Sequence, residues 1–479
     1  MGKFFKKNAL KNSDSARTRA AELTLRQSLL PLCLVTVLFF LWGFSYGLID
    51  TLNKHFQETL GITKSRSSGL QAAYFGAYPF AALGHANWLL RHYGYKAVFI
   101  WGLVLFGIGS LVAWPCIVYR SFGGFCAAIF VIGNGLGSLE TAANPYLTVC
   151  GPPKYAEIRI NLAQAFNGVG TVVAPVLGSY VFFKDTGDSA ESLRNVQWTY
   201  LATAVFVFLL AIVFYFAPIP EVTDADMAFQ AEETRAGTDD KPFRRQYRLF
   251  HATFAQFCYV GGQVAIAGAF INYVTEVKGT SSATGARYLA GAQGTFALGR
   301  FAGSAMMKFM KPRWIFLVYM TLSVIFLVPT ITERGNPGLI VLYLVFFFES
   351  IIFPTIVALG MRGLGRHSKR GSGFIVGGVC GGAVVPPLLF VASDSQNHKS
   401  SAPTAVAMAV PLAFYIAAWS YTLCVNFVPA YRNVADSFSE TNIGLDPHRA
   451  ADEETQSKNN DVFRNAPKDV PVHAEKAIL

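Results

Sequence analysis

The strongest constraint on this chain is a series of apolar stretches, each about 20 residues long, separated by short gaps that hold most of its Lys and Arg. A stretch of that length crosses a ~30 Å hydrocarbon core as an α-helix. Such stretches fall near 28–53, 66–90, 95–116, 121–150, 157–183, 196–217, 248–275, 282–307, 314–332, 338–361, 371–393 and 402–430. The sequence therefore predicts an all-α integral membrane protein with twelve transmembrane helices. Gly or Pro breaks are expected at Pro79, Pro145, Pro175, Pro354 and Pro386, since a bundle can satisfy the freed backbone groups. Charged residues make up 14% of the 479-residue chain, against about 25% in soluble proteins. A disordered chain, which needs high charge, is excluded. So is a small soluble domain, which would expose apolar runs this long.

The net charge of +11 reads as topology, not as affinity for nucleic acid. Residues 1–26 hold seven basic and two acidic groups. Loops on the side of the N-terminus hold thirteen Lys and Arg, those on the opposite side ten. Together these place both termini in the cytoplasm. Charge interrupts residues 1–27 before any apolar core of a cleavable signal can form. Segments 218–247 and 431–479 are acidic overall, with four basic against seven acidic groups and six against nine. The expected organisation is a cytoplasmic tail (1–27), a six-helix half (28–217), a cytoplasmic linker (218–247), a second six-helix half (248–430) and a disordered cytoplasmic tail (431–479). The membrane expected is the plasma membrane.

The seven cysteines, at positions 33, 116, 126, 150, 258, 380 and 424, show no CxxC spacing. They are read as buried reduced thiols, not as a metal site or disulfide framework. No cofactor or metal is expected. Nucleotide-loop, zinc-protease and nucleophile-elbow motifs are absent, so the chain is not read as an enzyme.

Polar residues inside the apolar stretches recur at helical spacing. Trp42, Tyr46, Asp50 and Asn53 share one face of the first span. Gln71, Tyr74 and Tyr78 do so in the second, and Glu140 and Asn144 in the fourth. Asn161, Gln164 and Asn167 form a stripe in the fifth, and Gln256, Tyr259 and Gln263 another in the seventh. Such stripes line a protein-enclosed cavity, not lipid. The plainer alternative is that Asn and Gln join helices, at ~0.6–2 kcal/mol per bond. Amide and phenol groups both donate and accept, which suits a ligand covered in hydroxyls. No cluster of Arg or Lys lies at membrane depth, which argues against phosphates and dicarboxylates.

Three carboxylates interrupt the spans: Asp50, Glu140 and Glu349. Each costs roughly 2.5–3.5 kcal/mol at a helix centre when ionised. A carboxyl that takes up a proton at one face and releases it at the other is a natural coupling device. Asp50 also admits a bland reading as a hydrated residue at the outer end of its helix. Glu349 is equally readable as a second titratable site or as a fixed partner of a polar neighbour.

The linker divides the spans six and six, and the halves show correspondences. Glu140-Thr141 with Asn144-Pro145 parallels Glu349-Ser350 with Phe353-Pro354. Gly170 and Pro175 parallel Gly381 and Pro386. Gly84 followed by Arg91, Gly94 and Lys96 resembles the loop motif of the major facilitator superfamily, with Leu90 where that motif usually has an acid. Trp42-Gly43-Phe44, the run Gly135 to Pro145, Arg159 to Asn167, Ala255 to Gly261 and Gly299-Arg300-Phe301-Ala302-Gly303 resemble its fucose–galactose–glucose:proton symporter family over roughly residues 30–430.

The resemblance implies a major facilitator fold that imports a neutral sugar such as L-fucose, glucose or galactose with protons. Glu140 is then the coupling carboxylate, and an acid at the position of Asp50 resembles the glucose/galactose branch. Arg91 and Lys96 fall in the gating loop. Arg300 is expected near the cytoplasmic end of span eight, capping a helix or pairing across the gate. The implied partners are a small sugar, protons and the lipid bilayer, with no nucleic acid, and the protein is expected to be a monomer. An exporter of another solute, or a sugar-sensing receptor, uses the same scaffold and stays open at this level.

Overall fold

The first apolar stretch forms one helix, Leu25–Leu60, which outruns the expected span by about two turns at its far end. The computed structural model describes residues 23, 25–177, 190–223, 226 and 242–437. Residues 178–183 of the fifth predicted span, most of the linker and nearly all of both tails lie outside the described residues. Among the described residues, nine helices are long and apolar enough to cross a membrane. They are span one (Gln27–Asn53), three (Tyr95–Val118), four (Phe122–Val149), six (Val196–Phe216), seven (Tyr247–Lys278), nine (Pro312–Thr332), ten (Gly335–Met361), eleven (Ser368–Gln396) and twelve (Pro403–Phe427).

The other three predicted spans are helical but more polar. Span two is a succession of short helices, Lys64–Ser67, Gly69–Gly76, Phe80–His85 and Ala86–Tyr93. Span five is Ala156–Leu177 and span eight Ser282–Met306. With these the bundle has its twelve helices, and no strand occurs among the described residues.

The predicted proline breaks are realised unevenly. Pro79 precedes a π-helical turn whose Gly84 leaves helical geometry, and Pro354 lies just past an interruption at Ser350 and Ile351. Pro145, Pro175 and Pro386 instead sit inside continuous helices. A proline lacks the N–H that would bond the carbonyl four residues earlier. Pro145 thereby frees the Thr141 carbonyl, which accepts from Ser372 Oγ at 2.8 Å. Pro354 frees the Ser350 carbonyl, which accepts from Arg300 Nε at 2.9 Å. The duplicated Glu-Thr/Ser-x-x-x-Pro pattern thus supplies an equivalent spare acceptor in each half.

Glycines set the close packing that these halves share. A methyl group on Gly43 would strike the Asn167 carbonyl, so spans one and five meet backbone to backbone. A methyl group on Gly381 would likewise strike the Phe257 carbonyl, joining spans seven and eleven. Small residues at helix contacts let dispersion and polar contacts hold helices together in lipid. Two of the seven free thiols, Cys150 and Cys258, are buried, while Cys33 is exposed on the bundle's outer face. The expectation of uniformly buried cysteines fails there because a lipid-facing position tolerates a small apolar side chain.

Beyond span twelve, the helix Pro429–Ser437 docks through Asp436, which bonds Arg313 at 2.8 Å and pairs with Lys311 at 3.1 Å. Partial burial disfavours the ionised carboxyl, but the hydrogen bonds and charges of Arg313 and Lys311 outweigh it and hold Asp436 below the usual range. A depressed folded value contributes stability above the unfolded value of ~3.9 that is lost as pH falls through the folded one. Proteolysis after Ser437 should therefore accelerate in Asp436→Asn at pH 7, and in the parent chain only below about pH 4. Equal rates for the two at pH 7 would remove this contact from the docking.

Candidate functional site

Spans one, two and four bring an aromatic ladder beside Glu140. Trp42 stacks on Tyr46 with centroids 5.7 Å apart, and its indole N–H donates to the Tyr78 hydroxyl. Tyr74 lies 5.8 Å from Tyr78, and Trp42 reaches across to Phe353 of span ten at 6.1 Å. Glu140 is buried, with Oε1 accepting from Asn144 Nδ2 at 3.3 Å, one helical turn away. A cavity of about 10 Å³ remains beside it, lined by Trp42, Leu136, Leu139 and Ala143 among others. That volume admits about one water.

Arg300 joins the halves at this level. Its Nη1 donates to the Gln164 carbonyl, to Gln164 Oε1 at 3.1 Å and to Asn167 Oδ1 at 2.6 Å. Its guanidinium lies 4.4 Å from the Phe296 ring centroid. Glu140 and Glu349 are both near enough to feel its charge. Arg300 lies buried in the last part of span eight, with partners on span five (Gln164, Asn167) and at the Ser350 carbonyl of span ten. It does pair across the halves. Asn167 in turn donates to the Phe39 carbonyl at 3.2 Å.

Glu349 occupies the equivalent place in the second half. Its Oε2 accepts from Tyr415 Oη at 2.5 Å, and its carbonyl accepts from Tyr259 Oη at 2.7 Å. Tyr259 and Tyr415 stack at 5.6 Å. Asp50 is buried nearer the other end of the bundle, beside Gln71 and Gly268, and Asn53 donates to the Gly268 carbonyl at 3.3 Å. Gln256 and Gln263 are buried along span seven. Asn161 stands apart from the ladder, donating to the Glu157 carbonyl at 2.9 Å.

Among the described residues, several buried polar atoms of this cluster have no hydrogen-bond partner: Asn144 Oδ1, Gln164 Nε2, Glu349 Oε1 and both side-chain polar atoms of Gln256. Unspent capacity on this scale is unusual in a folded interior. It fits a ligand with many hydroxyls, each able to donate and accept.

Two polar contacts that sequence reasoning missed clasp the halves at opposite ends. At one, Lys64 Nζ lies 2.6 Å from Glu276 Oε1, and Thr404 donates to Glu276 through its N–H and hydroxyl. At the other, Arg362 pairs with the buried Glu157, and Asn87 donates to the Lys369 carbonyl at 3.2 Å. The predicted gating residues Arg91 and Lys96 do not join these clasps. Arg91 is exposed, and Lys96 Nζ bonds the Ala217 carbonyl within its own half. Where the loop motif lacks its acid, Glu221 supplies a carboxylate that accepts from the N–H groups of Tyr95 and Lys96 at 2.7 and 2.9 Å.

A polar site buried at the interface of two six-helix halves, without a nucleotide loop or a nucleophile, defines a secondary transporter. The chain belongs to the major facilitator superfamily, whose family model, the Major Facilitator Superfamily, matches residues 35–387. It is 31% identical to the L-fucose-proton symporter of Escherichia coli (strain K12) over 413 residues, 82% of this chain and 93% of that protein. It is 32% identical to the glucose/galactose transporter of Brucella abortus over 366 residues, 75% of this chain and 87% of that one. The crystal structure of FucP, a major facilitator transporter in the outward conformation, superposes with a TM-score of 0.66 at 30% identity, covering 82% of this chain and 98% of that chain. The proton:xylose symporter XylE superposes at 0.63 with 15% identity, a likeness of fold alone. This chain is a multi-pass membrane transporter, not an enzyme.

Proposed function

We propose that the protein imports a neutral sugar of the L-fucose, glucose or galactose class together with protons, by alternating access at the buried site. The observation that supports this reading is the set of buried amide and carboxyl atoms that have no partner among the described residues, in the same bundle interior as the rings of Trp42 and Tyr78. Hydroxyls of the sugar engage those atoms, and its C–H faces lie on the rings. The names of the relatives support the same solute class.

In this reading Glu140 carries the coupled proton, with Asp50 and Glu349 as further titratable sites. Sugar contacts come from Trp42, Tyr46, Asn53, Gln71, Tyr74, Tyr78, Asn144, Gln164, Asn167, Gln256, Tyr259 and Gln263. Asn161, nearer the Glu157 end, meets the solute as it leaves. The chain is a monomer in the plasma membrane with both termini cytoplasmic and the halves 28–217 and 248–430 joined by the linker 218–247. The Lys64–Glu276 clasp then closes the outer end and Glu157–Arg362 the inner. Uptake of a panel of labelled sugars by cells lacking their own hexose carriers tests the substrate class. Saturable uptake of at least one hexose or deoxyhexose supports it. No uptake, with efflux of an unrelated solute, assigns the scaffold to export.

The clasps make a separate expectation. Glu276→Gln removes the charge that holds Lys64, so the outer end should open more often. In a background without native cysteines, a single cysteine at position 71 should then react with an external maleimide severalfold faster. Glu157→Gln should not accelerate it. Acceleration by both, or by neither, contradicts the assignment of one clasp to each end.

A further inference from the structure

Span five has a second face. Opposite Asn161, Gln164 and Asn167, its residues Arg159 and Phe166 line a groove of about 870 Å³ shared with span one, from Leu29 through Cys33 to Phe40, and closed at one end by Lys308. Leu29, Cys33 and Phe166 are exposed on the outside of the bundle, so the groove opens toward lipid and shares no residue with the sugar site. From Leu29 to Phe40 it runs three helical turns, about 16 Å. One leaflet of a ~30 Å hydrocarbon core has about that depth.

Both cations line the groove, and Arg159 lies close to Ser28, at the end that carries Leu29. Arg159 is held by the carbonyls of Leu147, Thr148 and Pro152 at 2.9, 3.0 and 2.5 Å. These take three of its five N–H donors and carry no negative charge. The neighbouring carboxylate, Glu157, is engaged by Arg362 across the halves. Lys308 is exposed at the groove mouth.

We propose that this groove is a binding site for one anionic phospholipid, its acyl chain along span one and its headgroup at Lys308 and Arg159. Placing it in the cytoplasmic leaflet rests on the orientation proposed above; the binding itself does not. A lipid here meets spans one and five and the turn that follows span eight, so it touches both halves of the transporter.

Native mass spectrometry of the full-length protein tests this, using neutral detergent micelles with equal amounts of phosphatidylserine and phosphatidylcholine of the same acyl chains. The expected result is one retained lipid, with phosphatidylserine favoured roughly fivefold, the discrimination of about one basic group at an anionic surface. Lys308→Ala should abolish that preference. Cys33→Trp, which fills the groove from a lipid-facing position, should reduce retention of both lipids. Thermal unfolding of each variant in detergent, at the parent's midpoint, reports that it has folded. Equal retention of the two lipids by the parent chain overturns the proposal, as does a preference that survives both substitutions. Higher retention after removal of residues 2–22 would assign the groove to that segment instead. Lipid-free dimers would assign it to a second copy. Either result replaces the lipid, and neither depends on whether the solute is a sugar.

Discussion

Replacing Glu140 with Gln abolishes concentrative uptake while sugar exchange across the membrane survives. The substitution keeps the side chain's size and a partner for Asn144, whose amide donates to Oε1. It removes only the ability to exist as an anion on one side and as an acid on the other. With one proton per sugar, a gradient of one pH unit supplies about 1.4 kcal/mol, enough for tenfold accumulation. The parent chain should approach that ratio in proteoliposomes. Glu140→Gln should stop at the external concentration, while counterflow of labelled sugar continues within a few fold of the parent rate. Tenfold accumulation by the variant would remove Glu140 from coupling. Loss of both accumulation and counterflow would make it a sugar-binding residue, not a proton carrier.

Arg300→Met should disable transport in both assays and weaken the fold. Arg300 is buried and donates to two side chains of span five and to backbone carbonyls of Gln164 and Ser350. Removing it leaves those acceptors unpartnered, and an unsatisfied buried group costs about 1–3 kcal/mol. It also leaves Glu140 and Glu349 without their shared positive neighbour. Removal of one member of a buried charged group typically costs about 3–5 kcal/mol. Arg300→Lys should restore little, because an ammonium cannot reproduce the planar fork that meets Gln164, Asn167 and Ser350 at once. The readouts are thermal unfolding in detergent and counterflow. A Met variant that unfolds and exchanges like the parent would contradict the role given to this residue.

The architecture was legible because membrane depth imposes a length on every apolar stretch. Spans four and five read as polar enough to be weak alone; span four is apolar enough to cross by itself, and span five was readable from its neighbours and from the pairing of the halves. Glu140 stood out because a charge at that depth needs a reason. Arg300 was legible as a residue that caps a helix or pairs across the halves, but its partners Gln164, Asn167 and Ser350 were not, because sequence position gives distance along a helix, not the neighbours a side chain finds. Three predicted proline breaks did not appear. At Pro145 the reason is visible: the freed Thr141 carbonyl found a donor in Ser372, so the helix had no need to end. The clasps were illegible for a different cause. Lys64 and Glu276 lie 212 residues apart, and each alone reads as an ordinary loop-end charge. Their pairing follows only from the way the halves dock.

The central claim is that sugar and proton move together, and the most direct measurement is the pH of a weakly buffered medium around proteoliposomes containing the protein. With no pre-set gradient, addition of a transported hexose or deoxyhexose should make the medium more alkaline as protons enter with the sugar. A protonophore should abolish that signal, and Glu140→Gln should lack it. Sugar entry at full rate with no alkalinisation would show a facilitative carrier and contradict the account.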